Sequence, residues 1–389
     1  MKINDLNSDL AIKDRDAYKR LQEIGLPHKR TEEFREFPIH AVLNQDFATT
    51  TAKVAFSEAL NAKRDANFYT LYILNGTPDL AHSILPNEVR CTQGTKTPHQ
   101  SPNALFYLSE SYLEEETTLF IDANLDKPLM IVNAYSGHDA FIPTSLHIVV
   151  NEKVHAQIVA VHVEEDVRQA FVNANVRLSV KADATLDYTK LERSRGENTL
   201  ITNIEPILDE SGRCHIVGLE LDSHTALNII NATLAQAHTT FSFESILKLS
   251  GRNRSGNIIS IVHDGEYTES YISSKHLLDD ASQALFEVKS TVNHDARFSK
   301  TFQNSQTILL KDGARINANP KLILHTDELE AAHGATSGSL DEEALYYMQS
   351  RGIKLQDAEK MLINAIELQV IEKIENESMK ELALRFIGE

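Results

Sequence analysis

Short runs in which apolar residues alternate with other residues fill the middle of the chain, from about residue 117 to about residue 325. In one run, Val159, Val161 and Val163 are separated by Ala160 and His162. A period of two indicates β-strands that each bury one face. No convincing long amphipathic helix interrupts the region, so we expect it to be β throughout. Similar runs recur, commonly some ten residues apart, at 176–180, 186–188, 217–221, 241–243, 247–249, 259–261 and 322–324.

Strand spacing of this kind is compatible with a sandwich, a barrel or a β-solenoid, and periodicity alone cannot separate the three. Length favours the solenoid, because an immunoglobulin-like sandwich needs only about 100 residues. No strict repeat motif is present to support that preference.

The flanking segments have a different character. Apolar positions between residues 10 and 25 predict a helix that Gly25 and Pro27 end, and residues 68–74 predict a strand before an Asn75-Gly76 turn. These features predict an α/β N-terminal segment over residues 1–100, before a β core over residues 101–335.

The C-terminal residues 336–389 are expected to form a helical domain. Ser339-Leu340-Asp341-Glu342 has the pattern of a capping box with Ser339 as the cap, and Gly352 would end the first helix. A second helix carries a stripe of apolar residues at intervals of three and four, and a shorter one closes the chain. The stripe comprises Ala358, Met361, Leu362, Ala365, Ile366 and Val370.

Charge and cysteine content exclude several classes of function. Lys and Arg number 38 against 56 Asp and Glu, a net charge of −18, which disfavours binding to nucleic acid. The N-terminus has no apolar leader and no window is apolar enough to span a membrane, so we expect a cytoplasmic protein. Cys91 and Cys214 are the two cysteines, too few for a disulfide framework or a thiolate metal site.

No enzyme motif is recognisable. Residues 251–258 have the glycine spacing of a phosphate-binding loop, but Asn257 and Ile258 replace its essential lysine and hydroxyl residue. We therefore interpret this segment as a turn between strands. The sequence predicts no catalytic residues and no nucleotide site.

His333 is the candidate site residue. It precedes Gly334 at a predicted junction between strand and helix, where an imidazole would be accessible and could replace a thiolate as an iron ligand. An isolated histidine is more often a hydrogen-bonded structural residue, so its wider context decides the interpretation.

That context resembles the SufB/SufD family of the SUF iron-sulfur cluster assembly system. The chain length, residues 25–34 and the scarcity of cysteine are more similar to the SufD branch. Ala331 departs from the family pattern, since many SufD proteins have cysteine there. The resemblance is carried by 333–338, 341–342, 346–347 and 350–353, and upstream by 268–270, 273–276, 286–288, 303–306, 309–310 and 319–322.

The resemblance implies a right-handed parallel β-helix that pairs with SufB, and C-terminal helices that dock the ATPase SufC. It also implies that His333 faces a transient iron-sulfur cluster at the SufB interface, with no cofactor held by the chain alone and a possible homodimer when SufB is absent. The alternative is a purely structural adaptor that stabilises SufB, in which the histidine is no ligand.

Overall fold

The polypeptide winds into a parallel β-solenoid of about eight turns. The computed structural model describes residues 12, 15–28, 31–34, 37–49, 54–194 and 196–388 of the 389-residue chain. The prediction of a mainly β chain with a parallel β-helix core is confirmed. The domain boundaries at residues 100 and 335 stay a prediction.

The strands fall into two sheets that face each other. Beyond β5 the odd-numbered strands stack in the first sheet and the even-numbered strands in the second. The strands are β1 Ala48–Thr49, β2 Tyr69–Leu74, β3 Thr77–Pro78, β4 Val89–Thr95, β5 Glu115–Ile121, β6 Leu129–His138, β7 Ala140–Val150, β8 His155–Arg168, β9 Phe171–Val180, β10 Thr185–Glu192, β11 Thr199–Leu208, β12 Arg213–Leu221, β13 Thr225–Leu234, β14 Thr240–Leu249, β15 Arg254–His263, β16 Glu269–Leu278, β17 Gln283–Val292, β18 Ser299–Leu309, β19 Arg315–Leu324 and β20 Leu329–Gly338.

Apolar side chains from both sheets fill the interior of the solenoid. Phe241, Phe243 and Phe286 are almost completely buried there, beside Ile216 and Ile259. Burying each such side chain contributes about 1.5–3 kcal/mol. Consecutive turns stack in register, so every strand hydrogen-bonds to the strand of the next turn.

The N-terminal part contains four helices, α1 Asp16–Ile24, α2 Ile39–Leu43, α3 Glu58–Asn61 and α4 Ala104–Tyr112. Helices α1, α2 and α4 cover the outer face of the first sheet, whereas the short α3 packs through Leu60 on the second sheet. Leu105 and Phe106 of α4 pack with Phe141, Phe171 and other residues of that sheet. The predicted first helix is confirmed from Asp16 to Gly25, where φ is +80°. Residues 10, 11, 13 and 14 of that prediction lie outside the described residues.

The predicted strand at residues 68–74 is confirmed as β2. It pairs in parallel with β6 and so extends the second sheet. Asn75 and Gly76 have φ values of 45° and 84°, the left-handed conformations of the predicted turn.

Three C-terminal helices follow the solenoid: α5 Glu342–Ser350, α6 Leu355–Ile371 and α7 Glu377–Gly388. Val370, Met379 and Phe386 pack on the outer face of the second sheet, against residues such as Val217 and Ile246. The solenoid is therefore covered on both sides by helices.

The predicted cap of α5 was wrong. Asp341, not Ser339, is the residue that precedes the helix, and its Oδ1 accepts hydrogen bonds from the amides of Glu343 and Ala344 at 3.0 and 3.1 Å. Ser339 lies two residues before this cap because β20 runs on to Gly338 and the helix begins only at Glu342. Gly352, with φ +86°, follows α5 as predicted.

Candidate functional site

The last turn of the solenoid is open. Strands β19 and β20 each stand at the end of their sheet, and no strand in the described ranges pairs with their outer edges. Almost every residue of β20 is exposed, in contrast to the ten buried residues of β9 in the middle of the stack. We call the surface formed by β19 and β20 the open end.

His333 lies in the middle of β20, with an exposed side chain. It pairs in register with Gln303 of β18. The sequence predicted a junction between strand and helix here, but α5 begins only at Glu342. The parallel pairing continues to Gly338 opposite Ile308, which keeps this segment extended. The imidazole is therefore displayed by an edge strand and not by a loop.

The edge of β20 lacks the lysine, proline and β-bulge that commonly protect an edge strand against pairing with another strand. Edge strands are commonly blunted by lysine, proline or a β-bulge. Residues 329–338 contain no lysine or proline, and their register with β18 is unbroken. Most are small, namely Ala331, Ala332, Gly334, Ala335, Thr336, Ser337 and Gly338. Small side chains allow another backbone to approach closely.

Polar contacts link the two sheets at the open end. The Nε2 of Gln303 donates to Ser290 Oγ at 2.7 Å and to the Lys321 carbonyl at 3.0 Å, which joins the two sheets behind His333. Lys321 Nζ also lies 2.8 Å from carboxylate oxygens of Glu287 and Glu32. Hydrogen bonds to Glu287 and then Glu32 raise the pKa of Lys321.

Sequence reasoning missed the contact between Glu32 and Lys321. The two residues are 289 positions apart, and residues 28–38 have the charged composition of a solvated connector. No local signal could have found the pair. It places the N-terminal segment beside the open end.

Neither cysteine is suited to hold a metal as a thiolate. Burial raises the pKa of Cys91 on β4 to about 11, and burial also raises the pKa of Cys214, which is completely buried on β12. The thiolate is the form that binds metals, so both groups are in the wrong protonation state. Both cysteines are free of disulfide bonds.

Residues 251–258 form a turn and the beginning of a strand. Gly251 has φ +62° in the turn, whereas Gly256 lies within β15. A Cβ on Gly256 would lie 2.6 Å from both Cβ and the carbonyl oxygen of Leu285 on the next strand. This glycine is thus explained by close strand packing, and the interpretation as a turn is correct for the first part of the segment.

The C-terminal helices expose large apolar side chains. Tyr346 and Tyr347 of α5 are 76% and 60% exposed, and Met361 of α6 is 50% exposed. Arg351 stacks over the Tyr347 ring at 5.2 Å. Such a surface is typical of a protein interaction site. Among the described helices, none is both long and apolar enough to cross a membrane.

Comparison with known proteins gives the family. The SufBD core domain of the SUF system for FeS cluster assembly matches residues 132–366, more than half of the chain. An iron-sulfur cluster assembly SufBD family protein of Synechocystis is 23% identical over 95% of this chain and 88% of its own length.

Two proteins named SufD are also similar. The Escherichia coli iron-sulfur cluster assembly protein SufD is 21% identical over 96% of this chain and 92% of its own length. The Bacillus subtilis SufD is 31% identical, but over only 31% of this chain and 28% of its own length. This protein belongs to the SufBD family of iron-sulfur cluster assembly proteins of the SUF system.

Proposed function

We propose that the chain is a non-catalytic scaffold subunit of the SUF complex that pairs with SufB through the open end and with SufC through the C-terminal helices. One observation carries this proposal: β20 is a ten-residue unprotected edge strand that displays His333. An uncovered edge with free backbone donors and acceptors favours pairing with a strand of another chain. A SufB β-helix would supply that strand, and a second copy of this chain would do so when SufB is absent.

His333 would face the nascent cluster across this junction. A cluster normally takes about four ligands, mostly thiolates. This chain offers two unsuitable thiols, so SufB must supply the sulfur ligands while His333 contributes an imidazole. The cluster is then a transient cargo of the pair.

SufC would bind the apolar surface around Tyr346, Tyr347 and Met361. ATP hydrolysis would belong to SufC. Helices α6 and α7 pack directly on the second sheet, whose last strand is β20, so a movement of SufC has a physical route to the open end. Coupling of this kind needs contacts between SufC and the helices that differ between the nucleotide states of SufC. We place the complex in the cytoplasm.

Substitution of His333 tests the ligand role. The complex of this chain with SufB and SufC is purified as wild type, His333→Ala and His138→Ala, a control in which another partly exposed histidine is lost. We expect all three complexes to assemble. Only His333→Ala should fail to build clusters, measured as iron and sulfide content and visible absorption.

A structural adaptor is the competing function. In that case His333→Ala would assemble and build clusters as well as the wild type. Failure of the wild-type chain to co-purify with SufB and SufC would overturn both the scaffold function with a ligand role for His333 and the structural adaptor function. A stable cluster on the isolated chain would overturn the division of ligands.

A further inference from the structure

Three metal-ligating side chains meet on the outer face of the second sheet, near the C-terminal helices. They are His155 at the start of β8, Asp187 on β10 and Glu375 in the connection between α6 and α7. One ligand atom from each lies within 4.8 Å of the other two. His155 Nε2 and Asp187 Oδ2 are 2.6 Å apart.

The parallel sheet fixes the first two residues. His155 pairs with Thr185, so Asp187 lies two positions further along the neighbouring strand and shares the same face. The backbone amide of His155 donates to Asn124 Oδ1 at 2.8 Å. The Asp187 side chain is only 13% exposed, whereas that of His155 is 43% exposed. The pair is thus positioned by the fold and remains open to solvent on one side.

Contacts on both sides of Glu375 hold the third residue in place. Ile374 is 2% exposed within the core beneath the helices. The Asn376 amide donates to Gln157 Oε1 of β8 at 2.8 Å, and its Oδ1 accepts from the Met379 amide at the start of α7. The connection therefore lies against β8, with the Glu375 carboxylate beside the pair.

One imidazole nitrogen and two carboxylates form a ligand set suited to zinc. Tetrahedral Zn²⁺ with bonds of about 2.0–2.2 Å needs ligand atoms about 3.4 Å apart. That separation lies between the 2.6 Å of the existing pair and the 4.8 Å limit of the group. Rotation of the exposed His155 and Glu375 side chains would bring the ligand atoms to this separation, and water would complete the coordination.

We propose that His155, Asp187 and Glu375 bind a Zn²⁺ ion that ties the connection between α6 and α7 to the solenoid. Two carboxylates beside a neutral imidazole carry two negative charges, which the ion would neutralise. Hydrogen bonding to Asp187, and to a smaller extent the charge of Glu375, raises the pKa of His155. Zinc binds the neutral imidazole, so its binding would compete with a proton at His155.

His138, a second histidine of the second sheet that lies beside a carboxylate, shows that the third ligand distinguishes the His155 group. His138 Nε2 lies 2.9 Å from Asp166 Oδ1, but the neighbouring charge is Arg168, whose Nε lies 3.7 Å from the same carboxylate. A guanidinium there repels a metal cation. The His138–Asp166 pair is therefore a matched control without a third ligand.

Calorimetric titration of ZnCl₂ into the full chain, without a polyhistidine tag and after EDTA treatment, tests the site. We expect one ion per chain. Glu375→Gln and Asp187→Asn should each weaken binding by more than about tenfold, because even an outer-shell change costs that much. His138→Ala should bind as the wild type. Titration with MgCl₂ should give no binding, since magnesium prefers oxygen ligands alone.

Hydrogen exchange provides a second measurement that does not depend on calorimetry. Zinc should slow exchange at residues 372–376 in the wild type and in His138→Ala, but not in Glu375→Gln. Glu375 is exposed, so its substitution should leave the fold intact. Absence of zinc binding, or equal binding by Glu375→Gln and the wild type, would overturn the proposal.

Discussion

The ammonium nitrogen of Lys248 on β14 lies 2.8 Å from Oε1 of Glu367 on α6. The Glu367 side chain is 3% exposed and that of Lys248 is 38% exposed. The pair joins the solenoid to the C-terminal helices at their interface, where the carboxylate is shielded from water. A shielded carboxylate depends on its partner far more than an exposed one does.

Lys248→Met should loosen α6. Removing the ammonium leaves a buried carboxylate without its ion-pair partner, which costs about 1–3 kcal/mol after allowance for the partial exposure of Lys248. Hydrogen exchange in α6 should report the loss. Lys19→Met is the control, because its partner Asp16 is 96% exposed, and its effect should stay within about 0.5 kcal/mol. Equal effects of the two substitutions would contradict the role of burial.

Ala335→Lys should block pairing at the open end. A lysine on an edge strand opposes the approach of a second strand. We expect affinity for SufB to fall by about tenfold or more, measured by sedimentation of the mixed subunits. Ala235→Lys, at an exposed alanine outside the strands, is the control and should pair normally. Stability should change little in either variant. Unchanged pairing by Ala335→Lys would remove β20 from the interface.

Acid should destabilise the chain through buried neutral histidines. Burial lowers the pKa of His263 to about 4 and that of His276 to about 3. In the unfolded chain each should titrate near about 6.5. As the pH falls below that value the unfolded state takes up protons first, so the free energy of unfolding decreases until the folded pKa is reached.

The expected loss is about 2 kcal/mol for each of these histidines between pH 7 and pH 5. Urea unfolding at both pH values measures it. His276→Asn keeps a polar side chain beside Ser274 and Thr307 but removes one titrating group. Its loss between the two pH values should be smaller by about 2 kcal/mol. An identical pH dependence would show that His276 does not contribute.

Gly256→Ala should destabilise the middle of the solenoid. The added methyl group would meet Leu285 at 2.6 Å and force the strands apart, at a cost of about 1–3 kcal/mol. Gly94→Ala on β4 is the matched control, since no atom lies within 4 Å of the added Cβ. Urea midpoints of the two variants measure the difference. If Gly256→Ala had the same urea midpoint as the wild type, the close approach of β15 to β17 would be contradicted.

The sequence predicted the β core because many strands bury one face more deeply than the other, as in β16. The alternation of apolar residues indicates only that one face of a strand is buried, so it could not distinguish a solenoid from a sandwich. Helix α4 was missed because seven of its nine residues are buried, which leaves no polar stripe to mark a helical period. The resemblance identified His333, but its place in an edge strand depends on pairing with β18.

Contacts between residues that are far apart in the sequence could not be predicted from any sequence pattern. Glu375 is separated from His155 by most of the solenoid and two helices, and only the folded connection brings them together. The same holds for Lys248 and Glu367, which are 119 positions apart. Local spacing carries no information about such pairs.

The two ends of the stack differ, and this asymmetry limits how many chains can join. At one end the antiparallel strands β3 and β4 finish the sheets, whereas at the other end no strand in the described part of the chain follows β19 or β20 in its sheet. If two chains pair through their open ends, both open ends are covered. The resulting dimer then exposes only the ends that β3 and β4 terminate. Growth into a fibre, which needs a different contact surface on each side, is thereby prevented.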